Sequence, residues 1–210
     1  LDYLPNLNKR GFVMRTSTLT TLPNSLTLAR VALIPVFILV FYLPWSWGQL
    51  AAAAIFVLAS VTDWLDGYFA RKLKQMSAFG AFLDPVADKL LVASSLLLLV
   101  GAGDRGYITI PAIIIVGREI IISALREWMA EVGSRASVAV NYIGKVKTAM
   151  QMTAVILLLA FKPAMSWLGM FGILGVVLLY VAAILTIWSM IAYLIVAWPE
   201  LTKKESKKIA

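Results

Sequence analysis

Long apolar runs separated by short polar clusters fill most of the sequence, and six of those runs have the length of a helix. The first is predicted over residues 26–43, entered through Pro23-Asn24-Ser25-Leu26-Thr27-Leu28-Ala29-Arg30, with Asn24 or Ser25 as its cap and a kink at Pro35. Pro44-Trp45-Ser46-Trp47-Gly48 then reads as a turn, its aromatics of the kind that settle at a membrane–water boundary. The second helix is predicted over residues 49–71. The third is expected to start at Asp84-Pro85, a cap followed by a proline at the first helical position, and to end near Gly101. Residues 107–129, residues 138–161 and part of residues 167–198 supply the other three. Residues 1–22 form a polar N-terminal segment, residues 23–200 a single membrane domain, and residues 201–210 a basic tail suited to anionic lipid. The chain opens on Leu1 with Met14 as an alternative start, so part of residues 1–13 is expected to be non-native; no cleavable signal pattern precedes the first apolar run.

Composition agrees with the pattern. With 61% hydrophobic residues, 14% charged residues and a mean hydropathy of +0.87, the chain is expected to be an all-α membrane protein, six transmembrane helices in one bundle. The absence of Cys excludes disulfides, thiolate nucleophiles and sulfur-bound metals, and the absence of His excludes imidazole ligands and Ser-His pairs. Any metal must therefore be held by oxygen, which favours magnesium, manganese or calcium. The net charge of +8 does not point to nucleic acid, because the cations cluster between apolar spans. With six spans and cytoplasmic termini, 17 of the 19 Lys and Arg fall on the cytoplasmic side, leaving only Arg105 and Lys162 opposite. That bias predicts a multi-pass protein of the cytoplasmic (inner) membrane, with the connection between the second and third helices facing the cytosol.

That connection holds the candidate chemistry. Four of the six aspartates, Asp63, Asp66, Asp84 and Asp88, lie within 26 residues, at spacings that put each pair on one helix face. Asp63 sits fourteen residues into its span, roughly 21 Å into a hydrocarbon layer of about 30 Å. A carboxylate at mid-membrane costs about 2.5–3.5 kcal/mol on insertion scales, so four of them require pairing, protonation or a wet cavity. One reading is an internal ion-pair network with Arg71, Lys72 and Lys89. The other is a site for two divalent cations, in which two same-face pairs meet across a loop, a geometry suited to phosphoryl transfer on a lipid diphosphate. Gly67 and Gly80 would let a ligand approach the backbone closely.

The run Asp63-x2-Asp66-Gly67-x2-Ala70-Arg71-x8-Gly80-x3-Asp84-x3-Asp88 resembles the signature of the CDP-alcohol phosphotransferases, with every signature position filled. The resemblance implies a six-span helical fold, a homodimer, and an active-site cavity open to the cytosol. It implies Mg2+ or Mn2+, two ions per site, on Asp63, Asp66, Asp84 and Asp88, with Asp88 also the general base. It further implies that Gly67, Ala70, Arg71, Ser77 and Gly80 contact the CDP part of the donor, and that Asn24 and Thr27 reach its diphosphate.

The acceptor is read from the fourth and fifth helices. Arg118 and Arg126 stand eight residues apart in Gly117-Arg118-Glu119 through Arg126-Glu127-Trp128, about 80° around a helix, so both can border one cavity. Lys145 and Lys147 follow, on different sides of the next helix. Cations in this number favour an acceptor that carries its own phosphate, although Arg118 and Arg126 can instead pair with Glu119, Glu127 or the aspartates. These runs, together with Phe79-Gly80-Ala81-Phe82-Leu83-Asp84 and Ile143-Gly144-Lys145-Val146-Lys147-Thr148, are similar to the bacterial phosphatidylglycerophosphate synthase branch of that family, from about Thr20 to Trp198. The implied substrates are CDP-diacylglycerol and sn-glycerol 3-phosphate. A sibling using inositol phosphate or phosphatidylglycerol, or a cation transporter using the aspartates as its path, are the competing readings.

Overall fold

Six helices carry the described part of the chain: α1 (Leu22–Tyr42), α2 (Gly48–Lys72), α3 (Ala78–Gly101), α4 (Gly106–Glu131), α5 (Tyr142–Ala160) and α6 (Gly169–Thr202). They are seen in a computed structural model that describes residues 22–72, 78–102, 106–131 and 142–202, and no strand occurs among those residues. Ser77, residues 1–21 and the basic tail beyond Thr202 lie outside the described residues.

Two helix starts differ from expectation. α1 begins at Leu22, so Asn24 and Ser25 lie within its first turn and are not its cap. Pro23 fits that start, since a proline in the first turn gives up a backbone N–H that has no helical partner anyway. α3 begins at Ala78, so Asp84 and Pro85 lie inside the helix and do not open it. Proline at that depth removes one backbone hydrogen bond and crowds the carbonyl four residues earlier. Inside the helix, Asp84 is tied to α1 by a 2.7 Å hydrogen bond from Thr27 Oγ1.

The helices pack in a connected bundle. α1 lies on α2 and α3, α2 continues onto α5, α3 onto α4 and α5, and α6 closes against α4 and α5. Fully buried side chains, among them Phe37, Phe56, Leu91, Leu96, Leu99, Ile115, Leu158 and Leu179, form a core to which every helix contributes. Phe37 and Phe56 meet at 6.2 Å between ring centroids, tilted by 52°, across the α1–α2 contact.

The outside of the bundle is as apolar as the inside. Ile110, Ile113, Ile120, Ile184 and Ile195 are each more than 60% exposed, and water would not tolerate such a continuous apolar surface. Three stretches, Asn24–Tyr42, Gly106–Glu131 and Gly169–Pro199, are long and apolar enough to cross a membrane, and Gly48–Asp63 and Val146–Ala160 are shorter apolar helices. Ser60, Thr62, Ser95, Ser123 and Thr153 each donate to a carbonyl three or four residues back in their own helices. The turn between α1 and α2 stacks Trp45 on Trp47 at 4.7 Å.

Gly169, Gly172 and Gly175, which recur every three residues, mark where α6 turns back onto α5. A Cβ on Gly172 would come within 2.6 Å of the Pro163 nitrogen and 2.8 Å of the Lys162 carbonyl carbon, both backbone atoms with little room to move. Gly117 in α4 has open space around it. Gly172→Ala is therefore expected to lower stability by about 1–3 kcal/mol through overpacking, whereas Gly117→Ala should raise it by about 0.5–1 kcal/mol through helix propensity. Thermal unfolding in detergent of the two variants beside the parent protein checks the opposite signs.

Candidate active site

A single polar face on an otherwise apolar helix starts the site. Asn24, Thr27 and Arg30 recur at intervals of three along α1 and are 2%, 1% and 0% exposed, so one side of the first helix carries its polar groups inward. Thr27 Oγ1 donates to Asp84 Oδ1 at 2.7 Å. Arg30 Nη1 stands 2.7 Å from Asp63 Oδ1 and 2.7 Å from Asp88 Oδ1. One guanidinium nitrogen thus joins three helices, α1, α2 and α3, and the two carboxylates converge on it from neighbouring helices.

Burying an arginine this completely is favourable only with matched charge and hydrogen bonds around it. The carboxylates themselves are about two-fifths exposed, 40% for Asp63 and 42% for Asp88. They face a cavity of about 250 Å³ lined by Asp63 of α2, Pro85, Asp88, Lys89 and Val92 of α3, Glu119 of α4, and Lys147, Thr148, Gln151 and Met152 of α5. Asp63, Asp88 and Lys89 are its charged residues from α2 and α3, and Glu119 and Lys147 those from α4 and α5. Lys147, nearly buried, reaches Glu119 Oε1 at 3.4 Å, and Arg118 Nη1 donates to the same oxygen at 2.7 Å. A second, apolar cavity of about 340 Å³ between α3 and α4 shares Lys89, Val92 and Glu119 with the first.

The sequence-predicted residues divide accordingly. Asp63 and Asp88 are brought together, while Asp84 is turned to Thr27 one helical turn away. Asp66, Gly67, Ala70 and Arg71 have their backbone in α2 within a turn or two of Asp63, and their side chains lie outside the described residues, as does that of Lys145 in α5. Gly80 is buried in α3. Among the described residues no three carboxylates close on one point. The donor set fits a hard divalent cation all the same: its available groups are carboxylate oxygens, and Asp63 and Asp88 already converge on a positive charge.

Arg118 and Arg126 also converge. Arg118 Nη2 donates to Ser189 Oγ at 3.1 Å, Arg126 Nη2 donates to Tyr193 Oη at 2.6 Å, and both guanidinia approach the Tyr193 ring. Arg118 also pairs with Glu119, the neighbour that its position in the sequence offers. Arg30, Glu119, Ser189 and Tyr193 are site members that sequence reasoning does not single out as ligand-binding. The three-residue recurrence of Asn24, Thr27 and Arg30 is the available signal for the first. For Ser189 and Tyr193 it is their four-residue spacing on one face of α6.

The family model for CDP-alcohol phosphatidyltransferase matches residues 20–198. A protein of Sodalis glossinidius named CDP-diacylglycerol–glycerol-3-phosphate 3-phosphatidyltransferase is 56% identical over 176 residues, covering 84% of this chain and 94% of that protein. Proteins of the same name from Pseudomonas fluorescens and Pectobacterium atrosepticum are 51% and 57% identical, covering 90% and 82% of this chain and 95% and 92% of theirs.

Replacing Arg30 by Met leaves two carboxylates facing each other with no arginine between them. The expected loss of stability is about 3 kcal/mol, at the low end for breaking a buried pair because Asp63 and Asp88 are partly exposed. Thermal unfolding of metal-free Arg30→Met in detergent measures it, and a midpoint equal to that of the parent protein would contradict the assignment.

Proposed function

Because the chain belongs to the CDP-alcohol phosphatidyltransferase family, we propose that it transfers the phosphatidyl group of CDP-diacylglycerol to sn-glycerol 3-phosphate, giving phosphatidylglycerol phosphate and CMP. Relatives identical at 51–57% of the aligned positions carry the name of that reaction. The structural observation that carries the reading is one cavity lined by carboxylates and cations of four helices. Asp63 of α2 and Asp88 of α3 line it together with Glu119 of α4 and Lys147 of α5, and Arg118 joins them through Glu119.

In this reading the 1-hydroxyl of glycerol 3-phosphate attacks the lipid-side phosphorus of the donor. A new P–O bond forms as the bond to the CMP oxygen breaks, and the hydroxyl proton passes to Asp88. Asp63, Asp66, Asp84 and Asp88 would hold two Mg2+ or Mn2+ ions, which when bound supply the charge that neutralises the diphosphate and its leaving group. Asn24, Thr27, Gly67, Ala70, Arg71, Ser77 and Gly80 bind the CDP part and its diphosphate. Arg118, Arg126, Lys145 and Lys147 hold the phosphate of the acceptor, guanidinium forks matching its oxygens. A carboxylate among cations is a weak base, so Asp88 would take the proton from a hydroxyl that the bound ions had made more acidic.

The wider arrangement follows from the same reading. All six helices cross the cytoplasmic membrane within one catalytic domain, residues 23–200. Both termini and the mouth of the cavity face the cytosol, where glycerol 3-phosphate and CMP are soluble, and the protein works as a homodimer among membrane lipids.

Purified protein is expected to release CMP from CDP-diacylglycerol only when sn-glycerol 3-phosphate and Mg2+ or Mn2+ are both present. Release driven instead by inositol phosphate or phosphatidylglycerol would reassign the acceptor, and divalent-ion flux in liposomes without CMP release would replace the enzyme by a transporter. Asp88→Asn should lower turnover by about 10²–10⁴-fold, the usual weight of a general base. Near-normal turnover of that variant with metal still bound would remove Asp88 from the role.

A further inference from the structure

On α4, Arg118 and Arg126 are two like charges on one helix, and what they share is not on α4 at all. Tyr193 of α6 lies beneath both: the Arg118 guanidinium is 6.0 Å and the Arg126 guanidinium 5.0 Å from its ring centroid. Cations within about 6 Å of an aromatic face are attracted by the ring's quadrupole, so one side chain offsets the repulsion between the pair. Its hydroxyl does more, accepting a 2.6 Å hydrogen bond from Arg126 Nη2. One turn earlier on α6, Ser189 Oγ accepts from Arg118 Nη2 at 3.1 Å, while Glu119 Oε1 takes Arg118 Nη1 at 2.7 Å. Both terminal nitrogens of Arg118 are therefore fixed from two helices, and its side chain is only 11% exposed.

We infer that Tyr193, supported by Ser189, is a positioning residue for the acceptor phosphate, setting the spacing and plane of the two guanidinia that grip it. The inference rests on the reading of Arg118 and Arg126 given above and adds the part of α6 that this reading does not assign. Long arginine side chains lose much rotamer freedom when a ligand orders them, and a platform that orders them beforehand removes that cost from binding. This arrangement also links acceptor to donor: Arg118 shares Glu119 Oε1 with Lys147, which lines the cavity holding Asp63 and Asp88.

Initial rates of CMP release from mixed micelles, with each substrate varied in turn, test the inference on the full-length protein. Tyr193→Phe keeps the ring under both cations and removes the hydroxyl; Tyr193→Leu removes both. Tyr193→Phe is expected to raise KM for sn-glycerol 3-phosphate about tenfold, in keeping with the loss of a hydrogen bond to a charged group. Its kcat and its KM for CDP-diacylglycerol should stay within about twofold of the parent. Tyr193→Leu should raise the acceptor KM further and Ser189→Ala less. An unchanged acceptor KM in Tyr193→Phe, in a preparation whose parent protein turns over glycerol 3-phosphate, overturns the inference and leaves the proposed function standing. A fall in kcat and thermal midpoint with that KM unchanged also overturns it, since that is the mark of a packing role. A parent protein inert toward glycerol 3-phosphate removes the functional reading and the inference together. If Tyr193→Leu does not fold, Tyr193→Phe alone decides.

Discussion

A fully buried guanidinium organises the candidate active site. Arg30 of α1 meets Asp63 of α2 and Asp88 of α3 through a single nitrogen, 2.7 Å from each. An acidic pair at this depth in so apolar a chain needs a counter-charge, because ionised side chains are expensive away from water and neutralise or pair when forced there. Supplying that charge from α1 has a structural consequence. The three helices cannot separate at this end without stranding an arginine and two carboxylates. The cores of the α1–α2 and α1–α3 contacts, with Phe37 and Phe56 fully buried, are apolar and non-directional; the charged triad gives them a register.

The same arrangement defines which part of the site can accept ligands. Arg30 is wholly enclosed, whereas Asp63 and Asp88 are about two-fifths open and face the cavity. The buried cation holds one oxygen of each carboxylate, and both carboxylates stay partly open to the cavity. Glu119 and Lys147 line the same cavity, and Glu119 Oε1 also pairs with Arg118. The 340 Å³ apolar cavity that shares Lys89, Val92 and Glu119 adjoins it on the side of α3 and α4. A phosphatidyl group, half anionic and half apolar, suits a site built this way.

Much of this arrangement is legible in the sequence, and the parts that are not share a cause. Helices α2 and α4 follow their expected bounds closely because a long apolar run is itself a strong helix signal, whereas α6 takes nearly the whole of its run and continues to Thr202. The start of α3 departs from expectation because Asp84-Pro85 is a strong local signal for a helix N-terminus, whereas in the fold Asp84 lies inside the helix and meets Thr27, 57 residues away. The aspartates and the two α4 arginines stand out because charge inside an apolar run is conspicuous. Their partners do not. Lys72 and Lys89 look like natural counter-ions because they are near in sequence, yet Asp63 and Asp88 both meet Arg30, a residue of the first helix. Tyr193 is hidden for the opposite reason: in a chain with seven Tyr and seven Trp, one more aromatic near a helix end reads as part of an interfacial belt. Pairing between helices is set by packing, and packing is not written in local spacing.

A double-mutant cycle on Arg30 and Asp88, read as unfolding free energy of the metal-free protein in detergent, tests the central role of the buried guanidinium most directly. Arg30→Met, Asp88→Asn and the double variant, compared with the parent chain, isolate the energy shared by the two side chains. A coupling of about 2 kcal/mol or more, with the double variant more stable than the sum of the single losses implies, is the predicted result. Additivity within about 0.5 kcal/mol would mean that Arg30 and Asp88 do not act on one another, and that the carboxylates are held in place by something else.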